Sequence, residues 1–304
     1  MVNSAGKSVV VALGVFDGVH RGHQDLLSQA ATIARQRQAT FVVATFDPHP
    51  VAFLYPESFL GLLMPLERRI DLLQEVGADV VDVLTFNNEF AQLSPQAFIR
   101  DVLRQRIGAD VVVVGENFRF GHKASGDVNF LTEFGQSLGI DVQVCSLSGD
   151  DHAWSSTRIR QALRDGDVAT ANALLGRPHR ISGLVVHGNH RGRDLGFPTA
   201  NITIAPNLVV PADGIYSGLL TCASGTYPAA VSIGTNPTFD DVNSHRIEAY
   251  VIGEHNLDLY DQVVDVDLLG WVRAMQTFAD VEALIATMQQ DVATCKAQIE
   301  AYSQ

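Results

Sequence analysis

The chain is poor in cysteine, poor in basic residues and without a long apolar run. Among 304 residues there are three cysteines, Cys145, Cys222 and Cys295, widely spaced and odd in number. That pattern excludes a disulfide framework and a thiolate metal cluster, and it fits a reducing cytoplasm. No apolar run approaches the roughly 20 residues of a membrane-spanning helix, so no membrane partner is expected. The first apolar stretch is not read as a signal peptide, because a charged, His-rich segment follows it with no small-residue cleavage site. Lys and Arg total 21 against 34 Asp and Glu, a formal net charge of -13. The imbalance is uneven: Met1–Arg180 holds 16 basic and 20 acidic residues (-4), Ile181–Gln304 holds 5 and 14 (-9). A surface this acidic argues against a nucleic-acid partner. Small phosphates stay within reach, because a few local arginines can hold them. There is no internal repeat and no low-complexity linker.

What is present is enough length for two domains and 46% apolar residues to fill their cores. Up to about Arg180, strand-like segments (Val9–Phe16, Thr40–Phe46, Asp79–Thr85, Asp110–Gly115, Asp141–Cys145) alternate with helical ones (Gln24–Gln38, Leu66–Val76, Pro95–Ile107, Asn129–Leu138). Such alternation predicts a doubly wound parallel sheet with helices on both faces. Beyond Gly176–Ile181 come short strands separated by Gly, Pro, Asn and Asp: Gly183–His187, Gly214–Thr221, Tyr227–Ile233, Arg246–Ile252 and Val263–Trp271. These read as an antiparallel barrel or sandwich. One helix closes the chain, with an apolar stripe of Val281, Leu284, Ile285, Met288, Val292, Cys295 and Ile299 and with Asp280 as N-cap. The stripe reads as core packing. The expected domains are 1–180 and 181–304.

LGVFDGVHRGHQDLL, Leu13–Leu27, sets His20 and His23 in a turn between the first strand and the first helix. Asp17–Gly22 form that turn, and Gly14 and Phe16 close the strand before it. A helix N-terminus favours an anion, and the turn glycines let backbone approach a phosphate. Plain helix capping and a metal site using Asp17 are the competing readings. TFDPHP, Thr45–Pro50, stiffens the loop after the second strand and carries Asp47 and His49, either as ligand-facing groups or as a rigid turn. GENFRFGHKASGD, Gly115–Asp127, interleaves Asn117, Phe118, Arg119, Phe120 and Lys123 with glycines. It suits stacking of a flat ring and pairing of a phosphate, or else is a surface loop with a packed Phe pair. All three motifs follow strands of the parallel sheet, at the edge where such sheets bind ligands. SSTRIRQAL, Ser155–Leu163, offers Ser156, Thr157, Arg158 and Arg160 as a second phosphate clamp or an ordinary N-cap.

In the second half, HGNHRGRDLGFPTANI gives a glycine-rich loop with Gly188, Gly192 and Arg193, followed by Thr199 and Asn201. It lacks the ending of a P-loop. On an extended segment Thr199 and Asn201 share one face, and a hydroxyl with an amide oxygen suits Mg²⁺ shared with nucleotide phosphates. Glu248, in RIEAYVI, is either functional or an outward-facing strand residue.

Together GVFDGVHRGHQ, FDPHP, GENFRFG, SSTRIR, GRDLGFPTAN, GIY, IGTNPTF, RIEAYV, LDLY and VRAMQTF resemble, in order, the bifunctional bacterial riboflavin kinase/FMN adenylyltransferase (FAD synthetase) family. Any one of these motifs is weak; the ordered set is specific and covers nearly the whole chain. The resemblance implies an N-terminal nucleotidyltransferase domain and a C-terminal barrel of riboflavin kinase type. It implies an ATP-dependent, Mg²⁺-using enzyme that makes FMN from riboflavin and FAD from FMN. His20 and His23 match the nucleotidyltransferase HxGH signature, and Glu248 matches the kinase carboxylate. ATP and its phosphates would meet Gly14, Phe16, Asp17, Ser156, Thr157 and Arg160, and, in the kinase half, Gly188, Gly192, Arg193 and Thr199. Thr199 and Asn201 would hold Mg²⁺. Flavin would meet Asp47, His49, Asn117, Phe118, Phe120 and Arg273. Three departures stand out: the loop after FRFG reads HKAS where the family often has a basic cluster, LDLY is followed by Asp261 where a glycine is usual, and the segment before Leu66 reads GLLMP, without the threonines of many relatives. A single-activity adenylyltransferase is disfavoured by the intact PTAN and Glu248, and a non-catalytic flavin sensor by the full set of phosphate-handling residues. Self-association is left open.

Overall fold

The computed structural model describes residues 6–146, 155–188, 196–235, 245–254 and 257–302. The chain divides into two compact units, 1–156 and 157–304. In the first, β1 (Val9–Leu13), β2 (Thr40–Asp47), β3 (Val80–Thr85), β4 (Val111–Gly115) and β5 (Asp141–Cys145) form a parallel sheet in the order β3-β2-β1-β4-β5. All five residues of β1 are buried. A parallel sheet covered on both faces requires this, and the Val-rich sequences of β1 and β4 supply it. One face packs Leu13, Phe98, Ile99, Leu103 and Leu131; the other packs Leu26, Leu27, Leu72 and Leu73. Leu13 is the last residue of β1; Leu26 and Leu27 come from α1 (Arg21–Arg37), Leu72 and Leu73 from α3 (Leu66–Glu75), Leu131 from α6 (Val128–Ser137), and Phe98, Ile99 and Leu103 from the helical segment before β4, with short α2 (Pro50–Leu54) and α4 (Asn88–Ala91) in between. The segment Pro95–Ile107 is helical as its periodicity predicts, but after α5 (Pro95–Ala97) it continues as a π-helix over Phe98–Ile107.

β1 ends at Leu13, three residues before the reach of its apolar run. The chain leaves the sheet because Phe16 adopts φ 53°, followed by Gly18 at 87° and Val19 at 37°. Left-handed Phe and Val are costly, and such positions persist only where the surroundings hold them.

The second unit opens with α7 (Ser156–Arg164, whose first residue closes the first unit) and α8 (Val168–Leu175). Six strands follow: β6 (His179–Val186), β7 (Thr199–Thr203), β8 (Gly214–Cys222), β9 (Gly225–Thr235), β10 (His245–Val251) and β11 (Val263–Ala274). They close an antiparallel barrel in the order β10-β7-β6-β11-β8-β9. Its interior is filled by Tyr216, Leu220, Ile233, Ile247, Val266 and Leu268, all fully buried. Outside, Arg180 grips Asp267 with two bonds of 2.7 Å and Asp265 with one of 2.9 Å, fastening β6 to β11.

The last helix, α9 (Val281–Tyr302), is capped by Asp280, whose Oδ1 accepts from the Ala283 amide at 2.8 Å. Its stripe divides. Cys295 and Ile299 are buried on the barrel, but Val281 is 52% exposed, so the predicted core stripe does not run the helix's whole length. Gln298 ties the buried end, accepting from Ser217 Oγ (2.6 Å) and donating to the Trp271 carbonyl (3.2 Å). Asp261 stands at φ 58°. The departure after LDLY therefore falls on a left-handed residue, where glycine is at ease and aspartate is among the better-tolerated alternatives.

His179 is 4% exposed, and burial, with the Arg177 charge, holds its pKa down at about 4. The folded protein keeps this ring neutral while the unfolded chain binds a proton near pH 6.5. The stability it contributes is present above pH 6.5 and is lost as pH falls toward about 4. At roughly 1.4 kcal/mol per pK unit the full loss approaches about 3 kcal/mol. Urea midpoints measured from pH 7 to 4.5 should fall more steeply for the native protein than for His179→Gln; equal slopes would refute the assignment.

Candidate active sites

In the first unit the site is built at the carboxyl ends of β1, β2 and β4. His20 is the N-cap of α1: its Nδ1 accepts from the His23 amide at 3.3 Å. With Nδ1 used as acceptor, the neutral ring carries its proton on Nε2 and presents a donor there. The two imidazoles stack, centroids 3.6 Å apart, and Phe16 meets His23 edge-on at 5.2 Å. Phe16 is itself buried, so what it can offer a ligand is backbone. A Cβ on Gly14 would lie 2.9 Å from the Phe16 ring, so the ring needs glycine there to fold back.

Asp17 is 1% exposed, and both its oxygens stand 3.1 Å from the Leu63 amide nitrogen. Its carbonyl accepts from Ser156 Oγ at 2.8 Å, which ties the last residue of the first unit to the HRGH turn. Thr157, exposed, and Arg160, buried, belong to the second unit. Asp47 closes β2. His49 caps α2 through Nδ1, which accepts from the Val51 amide at 3.1 Å, and rests against Phe59 at 4.8 Å. Asn117 is exposed beyond β4. Phe118 is half-buried and stacks on Phe120 at 5.5 Å. Phe120 is 7% exposed and sits in the core, closing on Gly126, so it underlies Phe118. Among the described residues no three His, Cys, Asp or Glu side chains group to hold a metal, so the metal reading of His20, His23 and Asp17 is dropped.

One residue here escaped the sequence reading. Arg69, on α3, is 2% exposed; Nη1 donates to the Val15 carbonyl and Nη2 to the Phe46 carbonyl, each at 3.0 Å. In the sequence it is one polar position in a helical pattern, with nothing to mark it.

In the second unit Gly192 and Arg193 lie outside the described residues. Along β7, Ala200 and Ile202 face the barrel core while Thr199 and Asn201 face outward. Glu248 on β10 pairs in register with Asn201 and, on its other side, with Ser232 of β9. Hydroxyl, amide and carboxylate thus share the barrel's outer face. Glu248 Oε1 lies 3.4 Å from Arg246 Nη1. Gly188 approaches closely: a Cβ there would stand 2.3 Å from Asn201 Nδ2, so glycine leaves room for the amide.

Two cavities meet at Thr199. One, about 170 Å³, is lined by Phe197, Glu248, Tyr250, Arg273 and, from α9, Leu284 and Met288. The other, about 540 Å³, is lined by Val185, Pro198, Glu254, Leu257 and Tyr260. His187 stacks on Tyr260 at 4.0 Å. The upper half of the α9 stripe is therefore a cavity wall. Arg273 points its guanidinium at Asp291 of α9, with Nε and Nη2 donating at 2.8 and 2.7 Å, while Nη1 reaches the Ala274 carbonyl at 3.0 Å. Asp291, 6% exposed, is the second residue that sequence reasoning missed. The available signal was an acidic residue next to the apolar stripe.

A phosphate-ready turn on a parallel sheet, and a carboxylate, amide and hydroxyl gathered on a barrel, define a two-part nucleotide-using transferase. The comparisons agree. Residues 2–158 match the family described as FAD synthetase, and residues 175–299 the family described as riboflavin kinase. Proteins named bifunctional riboflavin kinase/FMN adenylyltransferase from Listeria monocytogenes and Escherichia coli are each 35% identical. The first covers 93% of this chain and 90% of its own length, the second 94% and 91%. A solved structure described as a macrolide-efflux protein from Streptococcus pneumoniae superposes with a TM-score of 0.88 at 32% identity, covering 97% of this chain and 95% of its own. The chain belongs to the bifunctional riboflavin kinase/FMN adenylyltransferase family.

The Arg273–Asp291 pair is largely buried, and leaving one partner alone in such a site costs roughly 3 kcal/mol. Asp291→Asn should lower stability by about that amount, and Arg273→Met with Asp291→Leu should recover most of it. Urea unfolding checks both; an unchanged midpoint for Asp291→Asn would show that the pair does not hold the helix.

Proposed function

We propose that the first unit adenylylates FMN and that the second phosphorylates riboflavin. The chain is an enzyme with both activities: riboflavin and ATP give FMN and ADP, and FMN and ATP give FAD and pyrophosphate. What carries the division is that each unit gathers its own phosphate-handling set, the His20-capped helix start in one and the Thr199–Asn201–Glu248 face in the other. The matches to the two families over 2–158 and 175–299 support the same division.

In the adenylyl step an oxygen of the FMN phosphate attacks the α-phosphorus of ATP and pyrophosphate leaves. The nucleophile is already an anion, so no strong base is needed; alignment and charge neutralisation suffice. His20 offers Nε2–H, the α1 N-terminus offers amides, and His23 and Ser156 add donors to the phosphates. Phe118 offers a half-buried ring face to the flavin, with Phe120 beneath it. Asp47, His49 and Asn117 border the same edge of the sheet.

In the kinase step the riboflavin hydroxyl is a poor nucleophile. Glu248 takes its proton as the oxygen attacks the γ-phosphorus, and ADP leaves. We assign riboflavin to the smaller, largely apolar cavity beside Glu248, and the nucleotide to the larger one, where Tyr260 and His187 form an aromatic step. Thr199 lines both, where the transferred phosphoryl must pass. Arg273 braces the riboflavin cavity through Asp291. The Thr199 hydroxyl and Asn201 amide oxygen fit Mg²⁺ that takes its other ligands from phosphates and water, and the ion would neutralise phosphate charge there. The three unpaired cysteines and the use of ATP fit a cytoplasmic setting. The macrolide-efflux role given for the pneumococcal structure has no counterpart in these phosphate-handling groups.

Purified protein given riboflavin, ATP and Mg²⁺, with flavins separated over time, should form FMN and then FAD. His20→Ala should cut FAD formation by about 100-fold or more and spare FMN formation, and Glu248→Gln should do the reverse. If either substitution silenced both reactions in folded protein, the two-site assignment would be wrong.

A further inference from the structure

Arg69 stands between the two loops that open the adenylyl site. Its guanidinium bridges the carbonyl of Val15, two residues past the end of β1, to the carbonyl of Phe46, one residue before the end of β2. The Val15 carbonyl accepts a second bond, from Thr45 Oγ1 at 2.8 Å, and Thr45 is fully buried. The same peptide unit leads into Phe16, the first left-handed residue of the turn. Two donors on one carbonyl fix the plane from which that turn departs, which is the kind of over-determination a strained φ requires.

The bridge is also charged. Asp17, two residues past Val15, is a buried carboxylate in the turn where a triphosphate must settle, and Asp47 follows Phe46 directly. Left alone, Asp17 would repel that triphosphate from a site of low dielectric. Arg69 feels both carboxylates: burial lowers its pKa, while Asp17 and then Asp47 raise it. A guanidinium stays protonated in such surroundings, so its positive charge persists under the turn.

We propose that Arg69 is the positioning residue of the adenylyl site: it holds the Phe16–Val19 turn in its strained form and offsets the Asp17 carboxylate, so that the ATP phosphates can approach His20 and the α1 N-terminus. The proposal rests on the reading of the first unit as an adenylyltransferase. Arg69 touches two backbone carbonyls and acts through the turn, so the roles of spacer and counter-charge are separable. Lysine keeps the charge but lacks the planar fork that reaches two carbonyls. Methionine keeps much of the volume and loses both.

The test uses the full chain, with KM for ATP and kcat for FAD formation measured separately. Riboflavin phosphorylation in the same preparation serves as the control for the second unit. Arg69→Met should raise KM for ATP by roughly tenfold or more, while phosphorylation stays within about twofold. Arg69→Lys should keep KM within about threefold and lose mainly kcat. Adding Asp17→Asn to Arg69→Met should bring KM back down by about threefold or more, a relief that lost packing alone would not produce. An unchanged KM in folded Arg69→Met overturns the proposal, and so does a second substitution that deepens the defect. If Arg69→Met fails to fold, Arg69→Lys decides, because wild-type kcat and KM there would leave no positioning role. A wild-type chain that makes no FAD from FMN and ATP overturns the parent reading instead.

Discussion

A buried strand cannot spend its side chains on chemistry, and both sites are arranged around that constraint. In the parallel sheet β1 is buried at every position, and Val111–Val114 of β4 are buried as well. Polar side chains are excluded from those stretches, so the polar groups that could meet a ligand collect where the strands end: His20 after β1, Asp47 and His49 at the end of β2, Asn117 after β4. In the barrel only alternate residues are buried. Ala200 and Ile202, like Ile247 and Ala249, fill the interior, and the residues between them, Asn201 and Glu248, face outward with Thr199. Because this barrel's interior is filled by its own side chains, a ligand would bind outside it. An outer face becomes a cavity only when another element covers it, and α9 supplies that cover.

The legible parts of this fold are those written in local pattern. The alternation of apolar runs with helical periodicity gave five strands in the right places, and Asp280 is the cap that its position suggested. PTAN was readable as an extended segment with Thr199 and Asn201 on one face, and it is the strand β7. The misreadings have a common physical origin. Periodicity records that a face is apolar and does not say what covers it. Hence Leu284 and Met288, indistinguishable in the sequence from Cys295 and Ile299, turn out to line a cavity, and Val281 is exposed. β1 was read three residues too long because nothing local announces a left-handed Phe16; that conformation comes from contacts with β2 and α3. Arg69 and Asp291 were invisible for the same reason. Their partners lie 54 and 18 positions away, and a single charged residue in a helix looks like solvent-facing surface until its partners are known.

Those two residues show what buried charge is used for in this protein. Burying an ion is costly, and an apolar replacement of similar volume is often as stable. Fold stability alone therefore gives little reason for either. Both sit where a backbone or a helix must be set in one position beside a ligand site. Arg69 spans two strand ends whose separation determines how the HRGH and FDPHP loops face each other. Arg273, with two bonds to Asp291, sets the distance from β11 to α9, and so the width of the cavity beside Glu248. An apolar contact would tolerate sliding of the helix along the barrel. A bidentate pair between a planar guanidinium and a carboxylate is satisfied in one geometry and fails steeply outside it. In each unit directional bonds do what hydrophobic packing cannot: they fix a ligand site to within a fraction of an ångström while the core supplies the stability.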